Sequence, residues 1–257
     1  MKVTLAQRRL KVGDKQHNLH VIEQAVQEAE GDLVVFCEMA LTGYMCRDLF
    51  FQLAEDECGV AVREATRISA ESGKHILFGM PLKGEVPGLI FNSAVMVSPE
   101  GRVQRYDKIY PANFGPFEEG FYFAKGGEPM LFECDGHLLG IVICYDLFHP
   151  ELARAYARAG AEALICISAS PATSRPMFER LLPARAIEDT IYTLYVNQTG
   201  TQLNIPFFGG AQAYGPRGNQ LAHAGYYKDA SITIDIEAQE IELARRMRPT
   251  VRDCGSD

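Results

Sequence analysis

The sequence predicts an α/β protein made of two β-sheets stacked between layers of helix. Two observations lead there. Short apolar runs that read as strands outnumber the segments with helical spacing, and the helical segments are spaced to cover sheet faces. Across its 257 residues the chain has no linker and no short-period repeat. One domain over residues 1–257 is expected, with a polar tail from about residue 245 extending away from the core.

Met1–Gln7 alternates apolar and polar residues like a strand, and Asn18–Glu30 places Leu19, Ile22, Ala25, Val26 and Ala29 at helical spacing until Gly31-Asp32 breaks it. Leu33–Phe36 is a buried strand that ends at Cys37-Glu38. Glu55–Glu71 reads as a helix and His75–Met80 as a strand. Leu89–Val97 and Arg102–Asp107 form a hairpin across Pro99-Glu100-Gly101, and Lys108 stands at its end. The next loop, ANFGPFEEGFYFAKGGEP, is rich in aromatics and glycine; loops this long in a compact domain are usually functional. A second hairpin, Met130–Cys134 with His137–Ile143 through Asp135-Gly136, leads into Cys144. Pro150–Gly160 and Phe178–Asp189 are helical, Ala163–Ser168 and Ile191–Asn197 are strands. Phe207–Tyr214, Gln220–Ala224 and Tyr227–Ile236 complete the sheets, with a turn over Gly215-Pro216-Arg217-Gly218-Asn219.

Composition narrows the function. A net charge of −8 argues against nucleic acid and anionic membrane surfaces as partners. The amino-terminal stretch lacks the apolar core of a signal peptide, and no apolar run approaches the roughly 18 residues of a membrane helix. The seven cysteines form no CxxC pair, which fits reduced thiols and a cytoplasmic location. The histidines show no metal-ligand spacing, so neither a metal nor a cofactor is expected.

Three residues share one feature: Glu38, Lys108 and Cys144 each come directly after an apolar strand. In stacked α/β sheets such strand ends converge on an edge where ligands bind. Two of them have a plain alternative, a solvated strand end for Glu38 and a core position for Cys144. Together they allow a specific chemistry. A thiolate attacks an amide or nitrile carbon, a carboxylate moves protons, and an ammonium holds the developing oxyanion. A cysteine between a strand and a helix start is also expected to sit in a low-pKa environment.

The stretches VVFCEMALTGY, RYDKIYPANFGPFEEGFYFAKG and GIVICYDLFHPELAR resemble the three signature stretches of the nitrilase superfamily of carbon–nitrogen hydrolases. RAIEDTIYTLYVNQTG and FFGGAQAYGPRGNQLAHA resemble that family's second half, so the likeness covers nearly the whole chain. The resemblance implies a four-layer α-β-β-α sandwich. It also implies Glu38 as general base, Lys108 as oxyanion holder and Cys144 as a nucleophile that forms a thioester, helped by the Tyr145 N–H. The family's second glutamate falls on Glu119, with Glu118 as the alternative.

VVFCEMALTGYMCRDLF and SASP look like the glutaminase domain of glutamine-dependent NAD synthetases. The chain departs from that pattern at Phe114, where those domains carry a tyrosine, and at Tyr145, where they carry a glutamate. Phe148 replaces an arginine common in amidases, Cys37 replaces the usual proline, and no counterpart of the synthetase domain is present. A pocket of Tyr44, Phe114, Phe117 and Phe148 suits a substrate with apolar surface, Ser170 is a further substrate contact, and Arg175 is either a carboxylate clamp or a solvated arginine. Asp107 and Asp146 are expected to be local hydrogen-bond acceptors, and His149 to pack at a helix start.

The activity implied is hydrolysis of a small carboxamide to carboxylate and ammonia. The alternatives are an N-carbamoyl amine hydrolase and a glutaminase-type subunit supplying ammonia to a partner enzyme. Resemblance also implies a homodimer or higher homo-oligomer, with Leu152, Ala153, Tyr156 and Ala157 as the suggested contact face.

Overall fold

The computed structural model describes residues 1–254. Strands β1 (Lys2–Gln7), β2 (Leu33–Val35) and β3 (His75–Lys83) run parallel, and β4 (Ile90–Val97) and β5 (Val103–Asp107) continue that sheet antiparallel. A second sheet joins β6 (Leu131–Cys134), β7 (His137–Ile143), β8 (Ala163–Ser168) and β9 (Tyr192–Asn197), of which the last three are parallel. β10 (Thr199–Gln202) and β11 (Ile205–Phe208) form a separate hairpin, and β12 (Gln212–Tyr214) and β13 (Gln220–His223) extend the second sheet beyond β9. The chain then returns as β14 (Ala230–Asp235), antiparallel to β1, giving the order β14-β1-β2-β3-β4-β5.

The alternation of side chains along the strands makes the layers. Leu33 and Val35 of β2 pack in the cluster that holds Leu139, Ile141 and Ile143 of β7, so these faces of the two sheets meet. Val34 and Phe36 point the other way, against Ile22 and Val26 of α1 (Lys15–Glu28) and Ala65 and Ile68 of α3 (Val60–Ser72). Strands buried on both faces need apolar residues at every position, which is why they read as unbroken runs. A four-residue helix, α2 (Phe50–Leu53), precedes α3, and another, α4 (Glu119–Tyr122), lies in the aromatic loop. α5 (Pro150–Arg158) and α6 (Arg175–Asp189) cover the outer face of the second sheet. The result is the α-β-β-α sandwich.

Local chemistry sets the boundaries. Asp14 accepts from the His17 N–H and caps α1, Gly73 ends α3 in the left-handed region at φ 68°, and Pro150 supplies the first residue of α5. The expected strand over Phe207–Tyr214 is two strands, because Gly209 and Gly210 both turn at φ 65° and break the extended run.

The tail expectation is corrected. α7 (Ala238–Met247) buries Ile241 and Ala244, and α8 (Thr250–Asp253) packs on α5 and α6 with Arg154 donating to the Thr250 carbonyl. Arg246, Arg248 and Arg252 are exposed, whereas Ile241 and Ala244 form the docking side and Arg245 donates to the Ala161 carbonyl at 3.3 Å. Residues 255–257 lie outside the described residues. The suggested dimer face is corrected as well. Leu152, Ala153, Tyr156 and Ala157 are buried in the chain's own core, where the Tyr156 hydroxyl donates to the Ile141 carbonyl at 2.8 Å. Gly140 is the complement of that ring, since a Cβ there would fall 2.5 Å from Tyr156 Cγ. Among the described residues no helix is long and apolar enough to cross a membrane.

Candidate active site

Glu38 stands where the chain leaves β2, held against β3 by hydrogen bonds from Phe36 N–H to the Leu77 carbonyl (2.7 Å) and from Gly79 N–H to the Cys37 carbonyl (3.1 Å). Gly79 permits this approach. A Cβ there would lie 2.4 Å from Met39 N and 2.7 Å from Glu38 Cα, both backbone atoms with no room to yield. Gly79→Ala is therefore expected to cost about 1–3 kcal/mol of stability, as overpacking typically does, and to displace Glu38. Thermal unfolding and turnover measured together check this; wild-type values for both would mean that the backbone adapts.

The Glu38 carboxylate is fully engaged. Its Oε1 accepts from Asn92 Nδ2 at 2.6 Å and from Lys108 Nζ at 2.8 Å, and its Oε2 accepts from the Ala169 N–H at 2.8 Å. Lys108 Nζ also donates to Glu119 at 2.9 Å. Glu119 accepts in addition from the Tyr44 hydroxyl (2.5 Å) and the Ala112 N–H (2.8 Å). Lys108, Glu38 and Glu119 are 1%, 0% and 3% exposed, so these contacts form away from water, where unpaired charge is most costly. Glu118, the alternative second glutamate, precedes α4 with its side chain in solvent.

This packing sets the electrostatics. Burial works against the Lys108 charge, but the Glu119 and Glu38 carboxylates outweigh it and hold the ammonium well above its ordinary value. Burial pushes Glu119 up to about 7, against the pull of Lys108 and with some help from Glu38. Cys144 is also pushed up, to about 12, by burial and then by Glu38, with Lys108 opposing. The low-pKa expectation for this cysteine is thus corrected. The chain leaves β7 in a 3-10 turn over Cys144–Phe148, and α5 begins only at Pro150, so the thiol does not sit at an α-helix amino end.

Cys144 adopts φ 51°, a conformation that costs a non-glycine residue strain and is typical of functional positions. Asp146 fixes the turn, accepting from the Ile143 and Tyr110 N–H groups and from the Tyr106 hydroxyl at 2.8–3.0 Å. The sulfur lies 3.4 Å from Ser170 Oγ and borders a cavity of about 290 Å³ walled by Phe114, Phe117, Tyr145, Phe148, Ser170 and Phe178. Among the described residues no charged side chain lines it.

Two expected substrate contacts are elsewhere. Tyr44 is turned to Glu119 and lies outside the cavity wall. Arg175 lies over the Tyr226 ring at 4.7 Å with Glu179 at 3.6 Å, drawn to that π-face and carboxylate rather than to the cavity. Asp107 accepts from Ser93 and Arg105, and His149 stacks on Tyr110 at 3.5 Å between ring centroids. Sequence reasoning missed Asn92, Ser168 and Asn197. A polar Asn92 inside the apolar run of β4 was the available signal for the first. It also missed that His75, Cys134 and Asp135 bring possible metal-ligand atoms within 4.8 Å of one another; His75 Nε2 and Asp135 Oδ1 already hydrogen-bond at 3.0 Å. This group lies at the first residue of β3, the opposite end of the sheet from Glu38.

The carbon-nitrogen hydrolase family model matches residues 2–246. This chain belongs to the carbon–nitrogen hydrolase family. A protein described as a hydrolase in the pqqF 5′ region of Pseudomonas protegens is 32% identical to this carbon–nitrogen hydrolase over 228 residues, covering 88% of this chain and 79% of that one. The glutamine-dependent NAD(+) synthetase of Aquifex aeolicus is 27% identical over 95% of this chain, which spans 44% of the synthetase. A solved amidase from Nesterenkonia sp., whose active-site cysteine carries acrylamide added in a Michael reaction, superposes with a TM-score of 0.82 at 28% identity, covering 96% of this chain and 99% of that one. The fold and the amidase-like affinity of the sequence are thereby established.

Proposed function

We propose that this carbon–nitrogen hydrolase converts a small carboxamide with an uncharged, largely apolar acyl group into the carboxylate and ammonia, through a thioester on Cys144. The observation that carries this reading is the buried Lys108 ammonium, shared by Glu38 and Glu119 behind a cysteine that opens on a charge-free aromatic cavity. A thiol held near 12 is protonated at neutral pH, so attack requires a base that removes the proton as the S–C bond forms. Glu38 is that base. The Lys108 ammonium and the Tyr145 N–H take up the charge on the carbonyl oxygen, and losing one such donor typically costs roughly 10²–10³ in rate. Ammonia leaves with the proton returned from Glu38. Glu38 then activates water, which attacks the thioester carbonyl and releases the carboxylate and the thiol.

Phe114, Phe117 and Phe148 favour aliphatic or aromatic acyl groups, and the walls offer no cation for a carboxylate. The Aquifex synthetase likeness supports a glutaminase reading, but glutamine would bring a zwitterionic head group to a wall without charges. Ammonia release from butyramide, phenylacetamide, glutamine, N-carbamoyl compounds and the matching nitriles separates these readings. The expected result is kcat/KM for the neutral carboxamides at least about tenfold above that for glutamine, as one unpaired buried charge costs more than the roughly 1.4 kcal/mol this represents. Turnover of glutamine alone, or of N-carbamoyl amines with release of carbon dioxide, would overturn the assignment.

A further inference from the structure

Glu38 makes three hydrogen bonds, and the sulfur of Cys144 is partner to none of them. The hydrogen-bond partner of the thiol lies just past β8: it is the hydroxyl of Ser170 at 3.4 Å. Ser170 in turn hydrogen-bonds Ser168, and the Tyr195 hydroxyl on β9, which has no hydrogen-bond partner among the described residues, borders the same pair. Ser168, Ser170 and Tyr195 are wholly buried.

The backbone carrying the two serines is itself fixed at both ends. Asn197, the last residue of β9, accepts from the Ser170 N–H through Oδ1 at 2.8 Å and donates through Nδ2 to the Ser170 carbonyl at 3.0 Å. A side-chain amide that spans both polar groups of one residue leaves that residue a single orientation. The residue between the serines, Ala169, gives its N–H to Glu38. One three-residue segment therefore touches the carboxylate through its backbone and the sulfur through a side chain.

We propose that Ser170, clamped by Asn197, hydrogen-bonds the Cys144 sulfur and stabilises its thiolate, so that the segment after β8 holds nucleophile and carboxylate in register. This rests on Cys144 being the nucleophile. Ser170 acts on the reacting atom directly, and Asn197 is a positioning residue that acts through it. The charged and titratable groups facing the sulfur are Glu38 beyond β2, Lys108 beyond β5, Glu119 on α4, Tyr44, Cys166 on β8 and Tyr195 on β9. Among them Lys108 alone is a cation, and its charge is already divided between two carboxylates. A neutral donor aimed at sulfur thus adds what the charges do not supply, since a hydrogen bond to an ionised group is roughly twice as strong as one between neutral groups.

The test needs no knowledge of the substrate. Alkylation of Cys144 by iodoacetamide is tracked from pH 6 to 10 by peptide mass mapping, which separates it from the exposed Cys58 and Cys254. Ser170→Ala is expected to slow alkylation at pH 7.5 by about tenfold and to move the pH–rate curve upward by about one unit. Ser170→Thr, which keeps the hydroxyl, is expected to restore both. Asn197→Ala should reproduce the Ser170→Ala curve; if it does not fold, Asn197→Asp keeps the acceptor for the Ser170 N–H, loses the donor and should fall between. A wild-type curve for folded Ser170→Ala would overturn the inference while leaving the amidase reading intact. Ammonia release that survives Cys144→Ala would instead overturn the amidase reading.

Discussion

Cys144→Ala is expected to abolish hydrolysis, lowering turnover by about 10⁴-fold or more, the scale on which removing a nucleophile acts in a cooperating catalytic set. Cys144→Ser should retain only a trace. Burial and Glu38 already push the thiol to about 12, and a hydroxyl in the same place is harder still to ionise. The substitution itself is small, and Cys144 is anchored by its backbone turn, so both variants should keep the wild-type circular dichroism and melting transition. Four other cysteines are buried: Cys37 lies next to Glu38 and is pushed up by burial, Cys46 donates to the Thr42 carbonyl, Cys134 ends β6, and Cys166 sits in the middle of β8. Inactivation by iodoacetamide that mapped to Cys37 or Cys166, with Cys144 untouched, would sink the assignment.

Glu119→Gln is expected to reduce turnover about tenfold or more, as loss of a contact that orients a reacting group commonly does. Glutamine keeps the shape but has one acceptor oxygen where Glu119 uses two, Oε1 for the Tyr44 hydroxyl and Oε2 for the Ala112 N–H, and it removes a charge beside Lys108. The ammonium is then left to Glu38 alone, which aims it less well and ties up the base. Glu118→Gln, on a solvent-facing side chain, should be nearly silent. The same geometry predicts a pH dependence. With Glu119 pushed up to about 7, lowering the pH through neutrality protonates it and withdraws the partner of Lys108. Turnover should therefore fall on the acid side with a limb near pH 7, and Glu119→Gln, having nothing to titrate there, should lose that limb. A crippled Glu118→Gln beside an active Glu119→Gln would reverse the assignment of the two glutamates.

How much of this was legible in the sequence varies with the range of the interaction. The apolar runs of β2, β7 and β8 are buried on both faces, so position after position carries the same signal and the strands were read within a residue or two. The α-β-β-α layering comes from those strands and the helices between them. Lys108 and Glu119 lie eleven positions apart in a loop, and the motif around them named both, but only the fold buries one glutamate and leaves its neighbour in water. The errors share a cause. Tyr44 and the α5 residues were given to the pocket and to a partner because their chemistry suited it, while each has a nearer contact, Glu119 and the β7 core respectively; Arg175, left open between clamp and solvated arginine, lies over the Tyr226 ring. Asn197 was invisible for a related reason, since a clamp on a backbone twenty-seven residues away leaves no local pattern.

The return of the chain to its first sheet has a consequence for synthesis. Strands β1 to β5 are made first, and β6 to β9 with β12 and β13 come next as the other sheet, yet β14 pairs with β1 along its whole length, from Lys2–Asp235 to Gln7–Ala230. Until some 230 residues have been made, one side of β1 has no neighbour, and an unpaired strand side is a template for joining another chain. The second sheet, with Cys144, has all its strands by residue 223. The sheet carrying Glu38 closes only when Ala230–Asp235 arrives. A nascent chain halted between those two points would hold its cysteine in a finished sheet and offer β1 to its neighbours, which makes the final strand a guard against self-association during translation.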